Sequence, residues 1–299
     1  MGSFRQRLTD RESYLYILAL QPVWCYRVSI MEKSDFFKNL KVVDLIFEVV
    51  DARCPYTSRS TQVQTLIRGK ESILILNKVD LADPLVTRKW VEFFTARGEE
   101  ALPVSTFSRE GYGAVKKILS LKAADLNKVL KEKGRRNRDL RVAALGISNT
   151  GKSSFLNSLL GKSAVKSGDR PGVTRGPQWV HLRGRISVLD TPGLMFPQLE
   201  DEDAVFRLVF TRAIDPDQQD IIHLSEKLLQ FLNERYPSAL TNLGLSKGQP
   251  LTLESVAKVK NFLSSQGGYD LQRAAVFIFA AGRKGKLGPI SLETPDDLQ

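Results

Sequence analysis

Two cysteines, Cys25 and Cys54, and two histidines, His181 and His223, are the only cysteines and histidines among the 299 residues. Two cysteines cannot make a disulfide framework or a four-cysteine zinc site, and the histidines stand far apart at no zinc spacing. No protein-held metal of that kind is expected, and a reducing compartment fits best. Long hydrophobic runs are missing as well. No uncharged apolar stretch reaches the roughly 18–20 residues of a membrane span, so a soluble chain with no integral membrane association is expected. Internal repeats and low-complexity tracts are absent. Acid is in deficit: 33 Asp and Glu against 44 Lys and Arg leave a net charge of +11. A surplus of that size favours a polyanionic partner, with nucleic acid ahead of membrane. Hydrophobic residues at 42% and charged residues at 26% exclude disordered and collagen-like classes.

What is present is a series of short apolar, β-branched segments, each running into a polar cluster. Val42–Val50 leads to Asp51-Ala52-Arg53, Ser72–Leu76 to Asn77-Lys78-Val79-Asp80, and Leu102–Val104 to Ser105-Thr106. Val142–Leu145 leads to a stretch opening at Gly146, and Arg185–Leu189 to Asp190-Thr191-Pro192-Gly193. Buried parallel strands read this way, and helix-length stretches such as Val86–Gly98 and Ser153–Leu160 lie between them. Beyond an acidic joint, Glu200-Asp201-Glu202-Asp203, the strand pattern stops. Ala204–Ala213, Ile221–Tyr236, Thr252–Gln266 and Asp270–Ala281 read as helices. The expected fold is α/β: a doubly wound, mostly parallel sheet over 33–200, followed by a smaller all-α domain over 201–299. Residues 1–32 form an N-terminal extension. There Arg5, Arg7 and Arg11 precede an apolar stretch from Tyr14 to Leu20, but Asp10 and Glu12 interrupt it and no small-residue cleavage site follows. A short docking helix is the preferred reading over a targeting peptide.

Gly146-Ile147-Ser148-Asn149-Thr150-Gly151-Lys152-Ser153 fits the phosphate-binding P-loop, with a strand before it and a helix after it. Its glycines let backbone N–H groups turn inward around a phosphate, and the helix N-terminus adds positive potential. Lys152 is expected to reach the β- and γ-phosphates and the Ser153 hydroxyl to ligate Mg2+. Asn149, Thr150, Gly151 and Ser154 complete the expected phosphate-side contacts. Asp190 is placed to hold the same metal through water, Thr174 to complete its shell, and Gly193 to donate an N–H to the γ-phosphate. Asn77-Lys78-Val79-Asp80 supplies the base side. A carboxylate such as Asp80 accepts from guanine N1–H and its N2 amino group together, a donor pair that adenine lacks. Asn77 is expected to brace the base, Lys78 to pack along it, and the Ser105-Thr106 backbone to approach guanine O6. The motifs stand in an unusual order, because the base half precedes the phosphate half. In an ordinary GTPase the phosphate motifs come first. The chain reads as a circular permutation rejoined through about 114–141.

With those residues in hand, the chain resembles the circularly permuted GTPases of ribosome assembly, the ribosome biogenesis GTPase A (YlqF/RbgA) family, over about residues 32–293. Asp51-Ala52-Arg53-Cys54-Pro55-Tyr56-Thr57-Ser58-Arg59, Gly168 to Thr174, Asp190 to Pro197 and Gly285-Lys286-Leu287-Gly288 are similar to the family's stretches. The resemblance implies GTP binding and hydrolysis, slow without a ribosomal activator, during maturation of the large ribosomal subunit. GTP and Mg2+ are implied, and K+ through Asn149. Implied too are rRNA of that subunit as partner, a monomer, and a cytoplasmic location, with mitochondrial matrix or plastid stroma as alternatives. Lys152, Thr174 and Gly193 would carry catalysis. Ser148 and Thr150 replace the Pro and Val usual in the family's P-loop, and Leu194 follows Gly193 where many GTPases carry a water-orienting glutamine. The family's N-terminal histidine is missing after Trp24, where Cys25-Tyr26-Arg27-Val28-Ser29 follows. Either another route serves hydrolysis or turnover is poor. A nucleotide-gated ribosome-binding switch with negligible hydrolysis is therefore the alternative, as is a permuted GTPase of small-subunit maturation. The latter typically carries a zinc-binding cysteine cluster that two cysteines cannot supply.

Two basic stretches suit an RNA backbone. The first holds Lys128, Lys131, Lys133, Arg135, Arg136, Arg138 and Arg141; the second holds Arg283, Lys284 and Lys286 among Gly282, Gly285 and Gly288, glycines that would permit close approach. His223 reads as a helix-surface residue and His181 as a structural residue on the strand after Thr174.

Overall fold

A computed structural model describes residues 38–161, 178–182, 184–190, 201–246, 248–265 and 267–298. Six strands are present among them: β1 Leu45–Asp51, β2 Glu71–Asn77, β3 Ala101–Val104, β4 Leu140–Leu145, β5 Gln178–Leu182 and β6 Ile186–Asp190. They form one sheet in the order β3-β2-β1-β4-β6-β5. Every neighbouring pair is parallel except β5 with β6, which is antiparallel. All seven residues of β1 are buried, as a central strand covered on both faces requires. Because β1, β2, β3, β4 and β6 all point the same way, their polar C-terminal ends fall along one edge. Ligands bind at that edge in open α/β sheets.

Nine helices are named here. They are α1 Thr61–Ile67, α2 Pro84–Ala96, α3 Tyr112–Glu132, α4 Lys152–Leu160, α5 Glu202–Phe210, α6 Ile221–Arg235, α7 Pro237–Leu243, α8 Leu253–Val259 and α9 Leu271–Arg283. One sheet face packs Phe47, Val49, Ile75 and Val142 against Val115 and Leu119 of α3 and Phe155 of α4. The other face meets α1 and α2, where Trp90 stacks on Phe94 with ring centroids 5.4 Å apart. Trp90 is fully buried, so its truncation to alanine costs roughly 3–5 kcal/mol.

The helices from α5 onward build their own core of Phe206, Phe210, Leu228, Leu232, Val256, Ile278 and Phe279, and Cys54 from the loop after β1 is packed into it. Burial pushes the Cys54 thiol well above its ordinary pKa. After α9 the chain returns to the sheet domain. Leu292 N donates to Arg53 O at 2.7 Å, Ile290 N to Leu81 O at 3.0 Å, and Trp90 Nε1 to Glu293 O at 3.2 Å. The Glu293 carboxylate accepts from Thr57 N at 3.0 Å, from Tyr56 N and from the Thr57 hydroxyl. Burial raises its pKa, and the Thr57 contacts and Arg207 offset that only in part.

Two elements differ from the sequence expectation. The helix expected over Thr252–Gln266 ends at Val259, and Leu263 instead bridges to Tyr269. Asn261 takes a left-handed backbone (φ 54°), which breaks the helix and lets Phe262 turn onto Phe277. No helix is expected between Tyr236 and Thr252, yet α7 begins at once after α6; Pro237, which lacks a backbone donor, is tolerated in its first turn.

Candidate nucleotide site

The P-loop connects β4 to α4 at the ligand-binding edge. Gly151 has φ 91°, and a Cβ there would stand 2.4 Å from Asn77 Nδ2, so only glycine lets the loop lie against the end of β2. Thr150 Oγ1 donates to Ile147 O at 3.1 Å, closing the turn, and Lys152 Nζ donates to the same carbonyl at 2.5 Å. Lys152 opens the nine-residue helix α4, with half-buried Ser153 and exposed Ser154 after it in the first turn. Asn149, left-handed at φ 60°, donates through Nδ2 to the Arg212 carbonyl at 2.6 Å and so ties the P-loop to the segment after α5.

The base-side motif stands directly beside it. Asn77 Nδ2 donates to Thr150 O at 2.8 Å, and its Oδ1 accepts from the Thr106 hydroxyl at 3.0 Å. Asn77 therefore braces the P-loop and the β3 loop, and it also lines the cavity. Asp80 Oδ1 accepts from the Ser105 hydroxyl at 2.6 Å, which aims the carboxyl across the gap between the two loops. Asn77, Lys78, Asp80, Thr106, Phe107, Gly151 and Ser154 line one cavity of about 350 Å³. Residues from 77 to 154 thus meet around a space of ordinary ligand size.

Behind the cavity lies a network that the motifs do not disclose. Asp51 is 1% exposed and accepts from Arg53 Nε at 2.9 Å, Arg53 Nη2 at 2.8 Å and Lys78 Nζ at 2.8 Å. Burial alone would raise its pKa, but the charges of Arg53 and Lys78 outweigh it and hold the carboxyl well below the usual carboxylate range. Lys78 Nζ also donates to the Asn149 carbonyl, joining Asp51, the base motif and the P-loop. Lys78 has φ 66°, a region that a lysine enters only at a cost in strain. The Asp-Ala-Arg stretch carried the only sequence signal for this wiring.

A family profile described as a 50S ribosome-binding GTPase matches residues 141–242. Ribosome biogenesis GTPase A from Bacillus pumilus is 33% identical over 275 residues, covering 88% of this chain and 95% of that protein. The chain belongs to the ribosome biogenesis GTPase A family. The Thermotoga maritima member is 30% identical over 259 residues, covering 87% of this chain and 89% of its own length. Among solved structures, GDP-bound YlqF gives a TM-score of 0.63 at 27% identity, covering 88% of this chain and 99% of that chain. GNP-bound YlqF from T. maritima gives 0.60 at 28% identity, covering 88% and 98%. The α/β class and the base-before-phosphate order read from the sequence agree with that membership.

Other family-like residues divide between those the structure places and those it does not. Thr174, Gly193 and Leu194 lie outside the described residues, as do the N-terminal extension and Trp24. Asp190 closes β6, which is parallel to β4, so its backbone sits on the P-loop edge. Of the first basic stretch, Lys128, Lys131, Lys133, Arg135 and Arg136 are exposed, at the end of α3 remote from the cavity. Arg138 is half-buried and ion-paired, its guanidinium gripping Asp44 with both Nη atoms at 2.6 and 2.7 Å. In the second stretch, Gly282 and Gly285 are filled by protein: a Cβ would come within 2.6 Å of the Phe210 ring and 2.9 Å of Leu81. Gly282 serves the packing of α9 against Phe210, Gly285 is half-buried beyond the end of that helix, and nothing stands within 4 Å of a Cβ at Gly288. Arg283 is half-buried, and burial with Arg212 and Arg53 nearby lowers its pKa. His223 is exposed on α6 beside Glu202 at 3.0 Å, and His181 bonds Asp139 and Ser187 on the sheet edge. Neither histidine faces the cavity.

Proposed function

We propose that this chain binds and hydrolyses GTP as an assembly factor of the large ribosomal subunit, engaging rRNA in its GTP state. The observation that carries the reading is the single cavity shared by Asp80, Lys78, Thr106, Gly151 and Ser154 in a member of this family. Asp80 reads the guanine N1–H and N2 donors, while Ser105, Asn77 and Thr106 hold the loops that present it. The P-loop N–H groups and Lys152 take the phosphates. The inward-turned Gly151 cradle and the hydroxyl of Ser153 at the start of α4 suit a metal–nucleotide group. Ser153, with Thr174 and with Asp190 through water, would hold Mg2+, which when bound neutralises phosphate charge. Asn149 is the candidate K+ ligand. Thr174 and Gly193 would register the γ-phosphate and bias the adjoining helical unit.

In this assignment residues 33–200 are the permuted GTPase domain, 201–299 the ribosome-binding helical domain and 1–32 an extension. The protein works as a cytoplasmic monomer. The exposed lysines and arginines at the end of α3 favour an rRNA partner. With Leu194 after Gly193, hydrolysis is slow until the ribosome supplies the missing group.

Sedimentation with purified large and small ribosomal subunits tests the assignment, comparing a non-hydrolysable GTP analogue with GDP. Retention by the large subunit in the GTP-analogue state alone is the expected result. Retention by neither subunit in either state would remove the ribosome and leave only the nucleotide site. Turnover measured with and without large subunits separates an activated GTPase from a switch that does not hydrolyse.

A further inference from the structure

We propose that Phe107 is the stacking wall of the base site, a positioning residue whose phenyl ring closes over the face of the bound purine. This inference rests on the guanine-nucleotide reading above and adds a residue to which neither the motifs nor the family profile points.

The ring's surroundings carry the argument. Phe107 lines the cavity and is 89% exposed, the most exposed of the large hydrophobic side chains among the described residues. Leaving a phenyl in water forgoes the roughly 1.5–3 kcal/mol that its burial yields. Looseness of the loop does not account for this. On one side the Thr106 hydroxyl donates to Asn77 at 3.0 Å. On the other, Ser108 N donates to Ser105 Oγ at 3.0 Å, and Arg109 Nη1 donates to Ser158 O of α4 at 2.6 Å. Ser105 N donates to Glu110 O at 3.1 Å, closing the loop on itself. Arg109 is held left-handed at φ 65° within it. A loop tied down at each of these points still presents one large apolar ring to the mouth of a polar cavity. The ring shares the cavity lining with Thr106, Lys78 and Asp80, the last being the group that reads the base edge.

Hydrogen bonds that Asp80 accepts lie in the plane of a base and leave both of its faces uncovered. An aromatic face covers one of them without regard to exocyclic substituents. Phe107 therefore sets affinity for the purine ring, whereas Asp80 sets which purine.

The test is equilibrium binding of GDP, GTP analogue and IDP by the full chain, with Phe107→Ala, Phe107→Trp and Asp80→Asn compared with wild type. Base stacking predicts that Phe107→Ala raises the Kd for GDP, GTP analogue and IDP by one common factor of roughly 5 to 100. Phe107→Trp should restore affinity. Asp80→Asn, in contrast, should change the ratio of GDP to IDP binding. The melting temperature of the nucleotide-free Phe107→Ala protein should match wild type, because the ring has almost no contacts to lose. Wild-type binding with an unchanged Kd in Phe107→Ala would overturn the stacking role alone. So would a lowered melting temperature with unchanged affinity, which makes the ring structural. Failure of wild type to bind any guanine nucleotide would overturn the site assignment itself, and this proposal with it.

Discussion

Replacing Asp51 by asparagine removes one negative charge from the centre of the molecule while keeping the shape of the side chain. Asp51 and Arg53 are 1% and 2% exposed, so neither charge is hydrated in the folded chain. Asp51 accepts Arg53 Nε, Arg53 Nη2, Lys78 Nζ and, at 3.1 Å, Arg53 N. Arg53 Nη1 is already buried without a partner, so the guanidinium has no second acceptor to fall back on. Removing one member of such a pair costs about 3–5 kcal/mol, since the other charge is left buried and uncompensated. In a chain of 299 residues that corresponds to a melting temperature about 5–8 °C lower. Urea unfolding followed by circular dichroism measures it directly. A second variant isolates the electrostatic cause: with Asp51→Leu and Arg53→Met together, the fully buried guanidinium is gone and only the partly exposed Lys78 ammonium loses a partner, so the loss should be smaller than for Asp51→Asn alone. The pH dependence has a definite sign. The folded pKa of Asp51 lies below its ordinary 3.8, so its stabilisation is fully present above that value and is lost as pH falls toward the lowered one. Asp51→Asn should flatten that acid limb. A destabilisation under about 1 kcal/mol, or a double variant whose loss equals the sum of the singles, would refute the reasoning.

Three further outcomes follow from the site. Asp80→Asn should move preference from GTP to xanthosine triphosphate, because the amide presents a donor where guanine requires an acceptor; competition binding reads the exchange. Lys152→Ala should lower hydrolysis at least about 100-fold, by removal of a preorganised charge at the phosphates, with circular dichroism confirming a retained fold. Charge reversal at Lys131, Lys133, Arg135 and Arg136 should weaken large-subunit binding and flatten its salt dependence by about 0.7–0.9 in log–log slope per lost phosphate contact. Guanine-nucleotide affinity should not change, since this surface lies at the far end of α3.

Where the chemistry is local, the chain is legible from its sequence. The P-loop reads directly because phosphate binding demands glycine, lysine and serine at fixed spacing beside one strand and one helix. The strands read because short apolar runs such as Val142–Leu145, bounded by polar clusters, suit a sheet covered on both faces. The order of Asn77–Asp80 before Gly146–Ser153 already states the permuted topology. Most of the helices after 201 follow from their apolar spacing and from Asp N-caps at 201, 220 and 270.

What only the tertiary structure decides is how side chains far apart in sequence spend their hydrogen bonds and charges. Asn77 reads by motif as a base contact, and the fold gives its amide a further task, tying Thr150 and Thr106, 73 and 29 residues away. Arg138 reads as one more cation in a basic run until Asp44 claims it across 94 residues. Gly282 reads as freedom to approach a ligand, and the Phe210 ring packs against it. Glu293 carries no motif at all, but closes over Tyr56 and Thr57 across more than 230 residues. Spacing along a chain encodes what a residue can do within a few turns. Which of several partners a buried polar group takes depends on the sheet order and the helix seating, and those are set by the whole core at once.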